Sequence, residues 1–236
     1  MTSPKWPLGE TQRGDLALPV VQQRGRLTLE RLLDAAEQML DFVGLEGATV
    51  PAIAAAAGVS VGNVYKRFPD KDSLLRAVYD RFFTDALAAN QFALDPEKWT
   101  GTPTIELLTT VVAEMVDGYR SRRSLIRALL LYAQTHPDSE FREHAEKLRL
   151  ESLQLFEALL RGRRADIAHP NPERAIRFVV VLIGHALQSA VVSEAGTRDL
   201  LSSGTETTGE LAKIVVGYLR IKGTERPRVV THSRKP

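Results

Sequence analysis

A chain of 236 residues with 44% hydrophobic and 25% charged residues has a globular make-up and the length to bury roughly 70% of its unfolded surface, which excludes whole-chain disorder. It contains no cysteine, which excludes a disulfide framework, a Cys-ligated zinc and a thiol redox sensor and fits a cytoplasmic setting. The formal charge of +2 is unevenly laid out: from Arg220 onward six Lys or Arg face one Glu, so residues 27 to 219 are net acidic, and any affinity for nucleic acid must come from a local cluster of cations.

Residues 1–26, with Pro4, Pro7 and Pro19 and little periodicity, read as a flexible arm. Arg24 and Arg26 lie just before the first helix, either in a solvated linker or in an arm reaching a nucleic-acid backbone or minor groove. From Thr28, a suitable N-cap, Leu29, Leu32, Leu33, Ala36, Leu40 and Val43 follow at the spacing of one helix face. Gly44 stops that helix. Thr49 is placed to cap a second, with Pro51 accommodated in the first turn, where an amide needs no intrahelical partner. Gly58 supplies a left-handed stop, and Ser60 caps a short third helix from Val61 to about Arg67 with Val64 inward. After Pro69-Asp70 a long fourth helix carries Leu74, Leu75, Val78, Phe82 and Ala86 on one stripe and crosses from a small domain into a larger one.

The rest reads as helical throughout, an all-α chain of about nine helices. Ile105, Leu108, Val112, Met115 and Tyr119 make one face, and Leu125 to Leu131 is apolar nearly all round, which predicts a central helix. Phe141 to Leu159 forms a long helix between Pro137 and the Arg161-Gly-Arg-Arg164 loop. Pro172 to Glu194 begins apolar and then turns small at Gly184, Ala186, Ser189 and Ala190, which suits close helix packing. A last helix carries Leu211, Ile214, Val215, Tyr218 and Leu219, with Thr207 and Glu210 at capping-box spacing. The longest apolar run, Phe178 to Ile183, falls short of the ~20 residues that span a membrane, and the N-terminus has no secretion-signal pattern. The predicted organisation is an arm (1–26), a helix-turn-helix domain (27–75), a helical body (76–221) and a basic flexible tail (222–236).

The stretch from Thr49 to Lys71 carries the chemistry. A helix entering the major groove needs small outward side chains so that its backbone closes on base edges. Gly62 removes a side chain at the closest approach, Asn63 suits a base edge or a phosphate, and Val61 suits a thymine methyl. Tyr65, Lys66 and Arg67 bring hydroxyl and cationic groups to phosphate oxygens. The same letters, Gly58-Val59-Ser60-Val61-Gly62, also match G-x-S-x-G, the nucleophile elbow of serine hydrolases. That motif requires a strand before the serine, and the alanine-rich Ala52 to Ala57 is a poor strand. A third possibility is a purely structural bundle without DNA binding, which leaves Gly62, Asn63 and Lys66 unexplained together.

Gly58-Val59-Ser60-Val61-Gly62 followed by Tyr65, Phe68 and Lys71, with Ile53-Ala54 upstream, resembles the TetR family of repressors over about Thr28 to Leu75. The resemblance implies a DNA-binding head of three helices, a body enclosing a small-molecule effector, and a homodimer formed through the last two helices on a palindromic double-stranded operator. It assigns DNA contacts to Thr49, Ser60, Gly62, Asn63, Tyr65, Lys66 and Lys71. Arg67 stands where many relatives have His, and keeps a donor while adding charge.

For the effector, Tyr119, Arg127, Tyr132 and Phe156 are candidate wall residues or else ordinary core, and His185, following the apolar run with Gln188 nearby, is either an inward ligand contact or a hydrogen-bonded interior or interface histidine. Arg127, within a nearly all-apolar helix, needs an anionic partner. The five histidines show no metal-ligand spacing, so neither a metal nor another cofactor is expected, and no catalytic machinery is proposed.

Overall fold

The structure is a computed structural model that describes residues 20–193 and 204–222. Among these residues it has nine α-helices: α1 (Val20–Gly47), α2 (Val50–Ala56), α3 (Val61–Tyr65), α4 (Lys71–Ala93), α5 (Thr104–Ser121), α6 (Arg123–Thr135), α7 (Ser139–Gly162), α8 (Pro172–Val192) and α9 (Gly204–Leu219). Most of the expected tail, from residue 223, lies outside the described residues, as do residues 1–19 of the expected arm.

Local chemistry sets these boundaries. Thr49, Ser60, Asp70, Asp138 and Asn171 each accept a backbone N–H from the first turn of the helix they precede, satisfying donors that the helix itself leaves open. Asp70 and Ser73 complete a reciprocal capping box at the start of α4. Gly44 (φ 70°) and Gly58 (φ 67°) take the left-handed conformation that stops a helix; Gly44 breaks α1 into a long rod and a short terminal piece.

Two expected boundaries move. Thr28 is not a cap: α1 begins at Val20, and the Thr28 hydroxyl bonds back to the Arg24 carbonyl at 2.8 Å, inside the helix. The arm is therefore already helical in its last seven residues. Thr207 is likewise inside α9, which starts at Gly204.

The core forms two apolar clusters. One fills the body between α5, α6, α7, α8 and α9, around Leu107, Val112, Phe156, Leu160, Ile176 and Val179. The other lies under α1 to α4 and continues without a break into α6 (Leu125, Leu129, Tyr132) and the first half of α7 (Phe141, Ala145). The head thus has no core of its own, and a boundary drawn across α4 at residue 75 cuts through packing that α6 and α7 share with it. The expected central helix is α6, which buries seven of its residues. On α8, a Cβ at Gly184 would stand 2.8 Å from the Leu153 side chain, so α7 and α8 approach where the small residues predicted close packing.

By length and hydropathy alone α8 is sufficient to cross a membrane, contrary to what its six-residue apolar run suggested, with half of that window buried. Its inner face packs into the body. Its outer face leaves Phe178, Val181 and Leu182 exposed beside Ile214 and Tyr218 of α9, with the Phe178 and Tyr218 rings 5.1 Å apart.

Candidate nucleic-acid interface

The helix-turn-helix is α2, the turn Ala57 to Ser60, and α3. Val64, 1% exposed, and the half-buried Val59 and Phe68 seat α3 on the core. That seating turns Val61, Gly62, Asn63, Tyr65, Lys66 and Arg67 to the outside. The Ser60 hydroxyl accepts from the Asn63 N–H at 3.2 Å and Thr49 accepts from the Ala52 N–H at 3.3 Å. Each hydroxyl therefore still has its own hydrogen to donate outward, to a phosphate oxygen for example. The context of Ser60 is helix, turn, helix, and the strand that a nucleophile elbow requires is not what precedes it.

Gly62 needs no internal explanation: a Cβ there would meet nothing nearer than the Ser60 hydroxyl at 4.0 Å. Among the described residues the Asn63 amide, the Tyr65 hydroxyl and the Lys66 ammonium have no hydrogen-bond or ion-pair partner, and Tyr65 is 50% exposed. Two other cations of the predicted set are engaged. The Arg67 guanidinium donates to the Gly25 carbonyl at 2.9 Å, joining α3 to α1, and the half-buried Lys71 ammonium donates to the Leu45 carbonyl at 2.7 Å.

Behind this face a polar seam joins head and body. Glu37 of α1, its side chain 11% exposed, receives Arg81 of α4 at 2.6 Å on one oxygen and Arg122, between α5 and α6, on the other. Arg81 also holds Asp34 at 2.7 Å. Asp41 accepts from the Leu125 N–H at 3.0 Å and so supplies the first turn of α6 with the side-chain acceptor that its own N-cap, Arg122, does not provide.

Asp72, in the first turn of α4, accepts from the Tyr132 hydroxyl at 2.7 Å, His136 Nε2 at 2.8 Å and Arg76 Nε at 2.8 Å. His136 Nδ1 accepts the Asp138 N–H at 3.1 Å, which places the imidazole proton on Nε2, facing Asp72. Burial pushes the Asp72 carboxyl up, but the hydrogen bonds from Tyr132, His136 and Arg76 outweigh it and hold the group at about 2. Asp138 is also held below its ordinary value, chiefly by Arg76. The sequence reading missed this seam, whose one local signal was charge on faces otherwise apolar, Glu37 between Ala36 and Leu40.

The candidate effector residues do not converge. Phe156 is 1% exposed in the closed body core. Tyr132 spends its hydroxyl on Asp72, at the head rather than in the body. Tyr119 and Arg127 are half-buried on α5 and α6. His185 does not point inward: it is exposed on the same outer stripe of α8 as Phe178, Val181 and Leu182, its Nδ1 2.9 Å from the Val181 carbonyl oxygen. It does share with Gln188 the wall of an open cleft of about 540 Å³, lined further by Gln134 of α6 and by Arg149 of α7, which is itself bonded to Glu146 of the same wall at 2.7 Å. Among the described residues no group of three or more His, Asp or Glu is arranged to hold a metal ion.

The family model described as "Bacterial regulatory proteins, tetR family" matches residues 32–78. Over 71 residues the chain is 41% identical to the HTH-type transcriptional regulator BetI 2 of Chromohalobacter salexigens, a match covering 29% of this chain and about a third (34%) of that protein. Two solved structures share the fold over most of the chain. One is the transcriptional regulator FadR of Bacillus subtilis in complex with stearoyl-CoA, at 16% identity and a TM-score of 0.58 over 83% of this chain and 99% of that one. The other is a regulatory protein of the tetR family from Rhodococcus RHA1, at 19% identity and a TM-score of 0.60 over 82% and 95%. The likeness to the tetR family of bacterial regulatory proteins is thus one of sequence over the head and one of fold over the helical body behind it.

Proposed function

We propose that the chain is a sequence-specific DNA-binding transcriptional regulator, a repressor that a small-molecule effector releases from a palindromic operator. The observation that carries this reading is the outward set on and just after α3: the side chains of Asn63, Tyr65 and Lys66, without partners among the described residues, around a glycine that internal packing does not require. Asn63 and Val61 read base edges; Thr49, Ser60, Tyr65, Lys66, Arg67 and Lys71 hold phosphates. The protein works in the cytoplasm, on nucleoid DNA.

A homodimer forms through α8 and α9, whose exposed Phe178, Val181, Leu182, Ile214 and Tyr218 make an apolar stripe of the kind a second copy covers. The effector binds the body, with the cleft of Arg149, His185 and Gln188 as its first contact. A structural neighbour solved with stearoyl-CoA supports a small-molecule seat in this architecture. Effector and operator are linked: a ligand preferring the DNA-incompetent state lowers operator affinity by at most its preference between the two states.

Selection of bound duplexes from a random DNA pool tests the reading. A palindromic consensus is expected. Failure to enrich any duplex at low salt overturns it.

A further inference from the structure

The N-terminal end of α1 is longer than the head's core requires. Among the residues whose burial is described, Leu29 is the first of the helix to pack on the head's core, so the nine residues from Val20 to Thr28 form an overhang of about 14 Å at ~1.5 Å per residue. This overhang lies against the outer end of the reading helix: Arg67, just past the end of α3, donates to the Gly25 carbonyl at 2.9 Å. Arg24 and Arg26 bracket that contact point, and both are exposed. Four cations, Arg24, Arg26, Lys66 and Arg67, thus lie on the two segments that this contact joins, with the acid Glu30 paired to Arg26 at 3.1 Å. Among the described residues Arg24 forms no ion pair.

We infer that this overhang is a second phosphate-binding element, which seats the flank of the operator beside the half-site read by α3, with Arg24 as its principal cation. The inference rests on the DNA reading above. The partner is DNA rather than an acidic protein because Arg67, on the outward side of the reading helix, is itself bonded to Gly25 between Arg24 and Arg26, so a duplex lying on Lys66 and Arg67 meets this end of α1 next. The two arginines are not equivalent. Arg26 shares its charge with Glu30, whereas Arg24 has no ion-pair partner among the described residues. Glu30 itself stands at the edge of the phosphate path and opposes binding until neutralised.

The test is the salt dependence of affinity for the enriched duplex, measured with the full chain and the variants Arg24→Ala, Arg26→Ala, Glu30→Gln and Lys66→Ala. Arg24→Ala is expected to lower the slope of log K against log salt by about one unit, and Arg26→Ala by less. Glu30→Gln should tighten binding several-fold. None of the three α1 variants should alter base preference in a repeated selection. Arg24, Arg26 and Lys66 are exposed and Glu30 is half-buried, and unchanged helix content and melting in each variant show that the fold is kept.

If Lys66→Ala lowers the slope and Arg24→Ala does not, the overhang reading fails and the DNA reading stands. Failure of the unmodified chain to enrich any duplex, or a Lys66→Ala protein with an unchanged slope, overturns both. A changed base preference in Arg24→Ala would make Arg24 a base reader and would also overturn the phosphate assignment.

Discussion

The two sides of the head follow opposite rules. On the outer side of α3 the polar groups of Asn63, Tyr65 and Lys66 have no partner within the described chain, and Gly62 presents no side chain at all. On the inner side, facing the body, nearly every charge is spoken for: Glu37 holds Arg81 and Arg122, and Asp72 takes three donors while its neighbour Arg76 also reaches Asp138. An unpaired polar face costs nothing while water covers it, but the same groups would be costly if buried. The outer face is thus built for a partner and the inner for holding an angle. Because the head shares its apolar core with α6 and α7, a shift in either of those helices must either carry the head along or break hydrogen bonds.

Breaking the inner side is expected to give the largest effect. Glu37→Ala leaves Arg81 and Arg122 without their common carboxylate in a mostly buried setting, and removing one partner of such a group costs on the order of 3 kcal/mol. Urea unfolding should show it as a lower midpoint. A loss below about 0.5 kcal/mol would mean that the seam is solvated and carries no geometry.

The outer side should respond in the opposite sense at Gly62. Space is open around it, and alanine favours a helix over glycine by up to about 1 kcal/mol, so Gly62→Ala should leave the fold as stable or more so. Operator affinity should nevertheless fall by about tenfold or more, as the methyl holds the α3 backbone off the base edges. Undiminished affinity would show that the closest approach lies elsewhere.

A smaller effect, confined to acid, is expected at Asp72. Its folded carboxyl is held at about 2, below the ordinary 3.8. The stability it contributes is therefore complete above about pH 4 and is lost as pH falls through the interval toward about 2. Asp138 shifts in the same direction and adds to the same window. Asp72→Asn should flatten the acid limb of the pH–stability profile and leave the neutral limb parallel to that of the unmodified chain. If both proteins lose stability identically between pH 4 and 2, Asp72 is not engaged as described.

What the sequence made legible follows the same division. The helix-turn-helix was readable because its signals are local: Gly58 stops one helix, Ser60 caps the next four residues before the inward Val64, and Asp70 opens a fourth. The seam was not, since Asp72 meets Tyr132 and His136 across some sixty residues and no periodicity links them. Thr28 misled because a hydroxyl that suits a cap can also bond back one turn within a helix, and the residues before it lack the apolar stripe that marks a helix from its sequence. His185 misled because it follows an apolar run; Phe178, Val181, Leu182 and His185 recur at helical spacing on the outer stripe, while Val179, Val180 and Ile183 take the inner one.

The finest distinction separates two lysines that the sequence treats alike. Lys66 and Lys71 are both assigned to phosphate, but the ammonium of Lys66 is exposed and unengaged among the described residues, whereas that of Lys71 rests on the Leu45 carbonyl. Lys66→Ala should therefore lower the salt slope of operator binding by about one unit without moving the melting temperature. Lys71→Ala should do the reverse in part: it removes a tie between the end of α1 and the start of α4, worth about 1 kcal/mol, and shifts the slope by less than one unit because the ammonium is turned onto the Leu45 carbonyl. Equal slope changes with equal melting temperatures would mean that the Leu45 contact gives way when DNA arrives, and that Lys71 belongs to the outer face after all.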